Sequence, residues 1–408
     1  MRRRALVVIA WVAMAFAPFS DAQAQEPETR AESLRRERQE KSRALAPPKP
    51  NKLEKSLLDL ENGRLFERIL NPPEGIYPRI GQITSGSGFS LGPGYRHAGL
   101  FGGSGAFSAF AAASFSRYWM LDARLQFPQL ASGHAGAEVH AQRFEFPKEQ
   151  FFGLGPDSER SNVVTYGFSG TDVGGTAAYR PTNDLAFTGA ISYLRPAVFP
   201  GSEPGEILSV FNAAQVPGLV AQPDFFKYET GMELNRRQPR GNPRTGGRYA
   251  LTFQRFDDID TNRFSFDRVE VDLQQYVPLL RDRRVLALHG AVSMSDADSG
   301  AEVPFYLQRT LGGPDDLRGF HRFRFRDRHM LLMQAEYRWE IFTAVDGAIF
   351  YDAGKVASRT EDLNFRDLET DYGIGFRFGT MNGIFLRIEG AFGSSEGKHF
   401  ILRFGHVF

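Results

Sequence analysis

Several stretches of this chain have residue types and spacings that could do chemistry. GFSLG at 88–92 and GSSEG at 393–397 fit Gly-x-Ser-x-Gly. In a strand–turn–helix setting that pattern exposes a nucleophilic serine to a histidine and an acid. His134, Glu138 and His140 fall on one face of an extended segment, a donor set that can hold a metal ion. His321 to Arg326 reads HRFRFR, basic and aromatic in turn, as in a nucleic-acid surface. Residues 311–323 read LGGPDDLRGFHRF and set Arg318 between Leu317 and Gly319-Phe320 in an otherwise polar turn. A guanidinium is always charged and its fork fits a carboxylate. A loop that packs such an arginine into something must bring it to an acid.

Each chemistry requires supporting elements, and most lack them. The first Gly-x-Ser-x-Gly sits in glycine-rich strand or loop and the second in a hairpin, so neither has the following helix that a nucleophile needs. HExxH, Walker and CxxC patterns are missing, and with no Cys there is neither a disulfide framework nor thiolate chemistry. The expectation is a non-enzyme without cofactor or metal. The face bearing His134, Glu138 and His140 opposes Ala135, Ala137 and Val139, which reads as the polar side of a strand.

The strands themselves are plain in the pattern. Tyr372, Ile374, Phe376 and Phe378 alternate with Asp371, Gly373, Gly375 and Arg377. Ile384, Leu386, Ile388 and Phe392 share a face opposite Phe385, Arg387 and Glu389, and Leu402, Phe404 and Phe408 share one opposite Arg403. Strict alternation makes each strand apolar on one side and polar or small on the other. About sixteen such segments run from 79 to 408. In a soluble sandwich the apolar side would face a core, and in a membrane barrel it would face lipid.

Export decides between them. Arg2, Arg3 and Arg4 precede an apolar run from Ala5 to Phe19, and Ala22-Gln23-Ala24 forms a small-x-small site, so residues 1–24 read as a cleaved signal peptide. No later segment reaches the ~18 apolar residues of a spanning helix. An exported chain with 37 Phe and 42 Gly but no apolar helix fits an outer-membrane barrel, whose strands give a weak hydropathy signal. Residues 25–78 are polar and proline-containing, a periplasmic linker with a short helix expected over 52–61. The expected fold is all-β: a transmembrane antiparallel β-barrel of about sixteen strands over 79–408. Inside such a barrel the HRFRFR run lines the lumen or meets lipid phosphates, so no nucleic-acid partner is expected. The net charge of +1 favours none either.

The C-terminal third resembles a known family. Leu317-Arg318-Gly319-Phe320 is similar to the (V/L/I)-R-G-(F/Y) loop motif of BamA- and TamA-like bacterial surface-antigen barrels. Val303-Pro304-Phe305-Tyr306 and Leu311-Gly312-Gly313 resemble its lead-in. Phe350-Tyr351-Asp352-Ala353-Gly354 resembles the family's F-x-D-x-G strand, with Phe350 and Gly354 as its fixed ends, and Gln334 to Arg338 the strand before it. Phe151-Phe152-Gly153-Leu154-Gly155 resembles a pattern further upstream. The likeness covers roughly 80–408.

The resemblance implies a loop folded back into the lumen with its arginine against acids of the inner wall. Alternation points the same way. Leu331, Met333, Ala335, Tyr337 and Trp339 turn outward, which puts Glu336 inside, and outward Ile349 and Tyr351 put Asp352 inside. The resemblance also implies help in inserting or translocating proteins or lipids at the outer membrane, the alternative being a passive or gated pore. Residues 25–78 are too few and too polar for a POTRA domain, so the form expected lacks them. Expected partners are outer-membrane lipids, unknown clients, and the barrel-assembly machinery during biogenesis, with the terminal Phe408 as assembly signal.

Overall fold

The computed structural model describes residues 74–201, 205–279, 283–342, 344–380 and 383–403. The expected signal peptide, the helix over 52–61, most of the linker and Phe408 lie outside the described residues.

Sixteen strands form one antiparallel sheet. They are β1 (Gly75–Gly81), β2 (Ser90–Leu100), β3 (Gly105–Ser114), β4 (Trp119–Leu130), β5 (Ala135–Phe151), β6 (Val164–Tyr179), β7 (Leu185–Pro200), β8 (Phe225–Asn235), β9 (Gly246–Asp258), β10 (Phe266–Leu279), β11 (Arg284–Ala297), β14 (His329–Phe342), β15 (Val345–Ala357), β16 (Glu369–Thr380), β17 (Gly383–Ser394) and β18 (Gly397–Arg403). Between β11 and β14, β12 (Arg309–Leu311) and β13 (Phe325–Asp327) pair as a separate two-stranded ladder. Each strand of the large sheet bonds to its neighbour in sequence, so the sheet is a meander that skips only this inserted pair. The first strand starts at Gly75, ahead of the boundary expected at 79. Ile76, Pro78 and Ile80 share one face of this strand and carry the period of two back past 79.

The outer surface is the apolar one. Leu91, Leu121, Val139, Val173, Ile191, Leu251, Leu288, Ile349, Ile374 and Leu402, drawn from strands all along the sheet, are exposed. The charged residues on the opposite faces of the last strands are buried, among them Glu336, Asp352, Arg377, Arg387 and Glu389. This inverts a soluble protein and is what lipid outside and a filled interior require. Among the described residues no helix is long and apolar enough to cross a membrane.

The two ends differ. The longest connections, 152–163, 201–224 and 298–328, all leave one end. They close over it around two apolar clusters. Phe151, Tyr166, Ile207, Val216, Leu219 and Phe305 form one, and Phe225, Phe256, Phe264, Phe266 and Val303 the other. Short turns mark the opposite end, as on the periplasmic side of outer-membrane barrels. The exception there is 236–245. Its Arg244 meets Asp346 at the start of β15 at 2.7 and 2.9 Å. A Cβ on Gly383 of β17 would lie 3.8 Å from the Gly241 carbonyl oxygen, so this connection reaches across to the far wall.

Candidate functional site: a lumenal loop on a wall of charge

The β12–β13 ladder is the neck of an inward hairpin, with Leu311 opposite Phe325, and residues 312–324 are its tip. Gly312 and Gly313 both take positive φ, 108° and 124°, which begins the tip's reversal. The Asp316 carboxylate accepts from the Gly312 and Leu317 N–H groups at 2.8 and 2.7 Å and ties the turn together. Leu311, Leu317, Phe320 and Phe325 then pack on Leu332 and Val356 of the wall. Phe320 meets Phe325 edge-on, with centroids 5.3 Å apart.

This packing delivers Arg318 to the wall. Its Nε donates to Asp352 Oδ2 and its Nη2 to Asp352 Oδ1, both at 2.7 Å, a two-pronged bond. Its Nη1 donates to Glu336 Oε1 at 2.7 Å and Glu389 Oε1 at 3.2 Å. The guanidinium lies 3.4 Å above the centre of the Phe350 ring. Gly319 passes so close to the wall that a Cβ would stand 2.6 Å from the Asp371 Cβ and 3.2 Å from the Ser394 Cβ. Gly354 gives matching room, because a Cβ there would come within 3.1 Å of the Leu311 side chain.

Sequence reasoning named Arg318, Glu336 and Asp352, and the structure brings these three together. It missed the rest of the network. Arg338 bonds Glu336 at 2.8 Å, Arg377 bonds both Glu336 and Glu389, and Arg387 meets Glu389 at 3.1 Å. Arg403 of β18 holds Asp315 at 2.9 Å. Arg377, Arg387 and Glu389 stood on the polar side of the alternation, but nothing in a linear pattern says which inward charges a loop will reach. Four arginines and three carboxylates share a space closed to water, so each charge depends on its partners.

A second contact joins the loop to the last hairpin. Glu396, in the turn after β17, accepts from the His321 backbone N–H at 2.8 Å, from His321 Nδ1 at 2.6 Å and from Arg324 Nε. Burial opposes its charge, yet these bonds outweigh burial and hold its carboxyl below the usual glutamate range. Arg324 also donates to Ser158, and Gly155 N–H donates to Arg326 O at 2.9 Å, so the Phe151–Gly155 segment grips the loop's return.

The other sequence motifs are spent on structure. Ser90 donates to the Gly81 carbonyl at 2.8 Å, and the second Gly-x-Ser-x-Gly is the β17–β18 turn. Glu138 takes bonds from Arg124 and Gln126, His140 stands 3.3 Å from Asp172, and His134 meets the Arg180 carbonyl. These three do not converge.

Residues 216–396 match the Omp85 superfamily domain. The chain's fold is similar to that of BamA from Haemophilus ducreyi lacking POTRA domains 1–3, with TM-score 0.59 and 14% identity over 86% of this chain and 77% of that one. Residues 216–396 thus carry an Omp85 superfamily domain, and the fold is that of a BamA-like β-barrel. CdiB from Acinetobacter baumannii is also similar, with TM-score 0.50 and 14% identity over 81% of this chain and 59% of that one. The matched Omp85 segment contains the whole lumenal hairpin and the strands of its charged wall.

Proposed function

We propose that this Omp85-type barrel assists insertion or translocation of proteins or lipids at the outer membrane, by opening between its first and last strands. One contrast carries the reading: every neighbouring pair from β1 to β18 is joined by a main-chain ladder, while β1 and β18 are not joined among the described residues. A side-chain bond from Arg403 of β18 to Ser85, in the connection after β1, spans the two edges at 3.0 Å. Edges without a main-chain ladder between them separate at less cost than the middle of the sheet. The buried network braces the wall beside that edge. On this reading the protein carries out no bond chemistry and works with outer-membrane lipids and client proteins. It arrives as an exported chain that the barrel-assembly machinery recognises through Phe408.

The chain has no Cys, so a paired-cysteine tether is clean. Ser85→Cys and Arg403→Cys joined by a reducible bismaleimide should block function, and reduction should restore it. Function is scored by the outer-membrane protein and lipid content of cells depleted of the native protein. If the tethered protein works fully, and wild type in planar bilayers conducts steadily, the chain is a pore and the seam reading is lost.

A further inference from the structure

We propose that His321, Glu396 and His399 form a binding site for a divalent transition-metal cation of the zinc class, which fastens the tip of the lumenal loop to the last hairpin. The proposal makes no use of the seam reading and stands or falls without it. His321 lies directly after the Leu-Arg-Gly-Phe segment, Glu396 in the turn between β17 and β18, and His399 on β18. One donor atom from each lies within 4.8 Å of the others. His321 Nδ1 is 2.6 Å from Glu396 Oε2, and the two imidazoles stand edge to face with centroids 5.0 Å apart.

Two imidazoles and one carboxylate are a donor set that suits zinc and its neighbours, at about 2.0–2.2 Å per bond. Those bond lengths put donor atoms roughly 3.3 Å apart in a tetrahedral site, so small side-chain rotations suffice. The cation would take the place of the Nδ1 proton in the His321–Glu396 hydrogen bond, and the neutral imidazole would carry its proton on Nε2 instead.

The surroundings match a built site. Arg324 holds Glu396 Oε1 and the His321 backbone N–H holds Oε2, which together fix the carboxylate in place. Glu396 would supply the one anionic ligand beside two neutral imidazoles. Arg324 and Arg160, which donates to the Glu396 carbonyl at 3.3 Å, oppose the cation's charge and set the affinity below that of an all-acid site. His321 and His399 both line a cavity of about 560 Å³. It gives the ion an entry path and room for water as a fourth ligand.

The test uses untagged full-length protein, folded in detergent and freed of metal. Zinc titrated into wild type by calorimetry should bind at one ion per chain and protect residues 319–321 from amide hydrogen exchange. His399→Gln should weaken that binding at least tenfold and abolish the protection. His399 touches none of the Arg318 partners, so the variant should keep its heat-dependent gel shift. Glu396→Gln repeats the test from the acid side. Zinc binding by His399→Gln equal to wild type, or no stoichiometric binding by wild type, overturns the site.

Discussion

Two walls of this barrel use the same pieces and reach opposite states. Along β14 to β17, Arg318, Arg338, Arg377 and Arg387 meet Glu336, Asp352 and Glu389 with almost no exposure to solvent. Along β4 and β5, Arg124 bonds Asp122 at 2.9 Å and Glu138 at 2.8 Å, yet its side chain is 39% exposed. Strand alternation aims both sets inward. The difference is the loop: 311–327 lies over the C-terminal wall, whereas water reaches Arg124. Two charges at 4 Å attract by ~1 kcal/mol in water and ~4 kcal/mol at the effective dielectric near protein, so cover matters more than distance. The fold places the charges, and the inserted loop decides what they are worth.

The largest expected effect is at the centre of the covered wall. Arg318→Ala leaves Asp352 and Glu336 buried short of a partner and should cost about 3–5 kcal/mol. Urea unfolding of the detergent-folded barrel measures it. Arg318→Lys should recover only part, because an ammonium cannot make the two-pronged bond to Asp352. Arg318→Ala and Asp352→Ala should be strongly non-additive. Independent addition, for this pair and for Arg318 with Glu336, would show that the loop arginine and the wall act separately.

Two smaller changes sharpen the point without deleting the central charge. Gly319→Ala forces a Cβ against the Asp371 and Ser394 Cβ atoms, which sit on sheet backbone and cannot rotate away. Overpacking of this kind costs ~1–3 kcal/mol, and protease cleavage near residue 320 should appear. Wild-type resistance would mean the tip has slack. At the opposite mouth, Arg244→Ala removes the forked partner of Asp346, a nearly buried acid. A loss of ~1–3 kcal/mol is expected. Faster exchange of the 236–245 amides should accompany it. Unchanged exchange would show that the connection is held without the ion pair.

The legibility of this molecule follows the same division. A period of two marks which side of a strand a residue takes, so the sheet and the inward aim of Glu336 and Asp352 could be read from sequence. Coverage could not. Leu331 sits at a position read as outward, yet it is buried. Arg377, Arg387 and Glu389 could be placed on an inner face but not assigned to Arg318, since the loop's depth is set by packing of Leu317 and Phe320 on Leu332 and Val356. The pairing of His321 with Glu396 spans 75 positions and leaves no local trace. The first strand begins at Gly75, four residues before the expected start of the period of two at 79.

The smallest effect is expected on the open wall. Arg124→Ala removes a side chain bonded to two acids, and by contact list alone it resembles Arg318→Ala. The acids, however, keep other donors. Gln142 Nε2 stays on Asp122 at 3.1 Å and Gln126 Nε2 on Glu138 at 2.7 Å. Water can take the vacated positions because Arg124 is already substantially exposed. The cost should be ~0–1 kcal/mol, as for surface pairs. Salt supplies the sharper discriminator. Screening acts on the exposed pair and hardly on the buried one. Raising the salt should erase the effect of Arg124→Ala and leave that of Arg318→Ala nearly unchanged. Urea unfolding of both variants at low and high salt tests this directly. If Arg124→Ala costs as much as Arg318→Ala at both, the N-terminal wall is as closed to water as the C-terminal one, and loop cover is not what separates them.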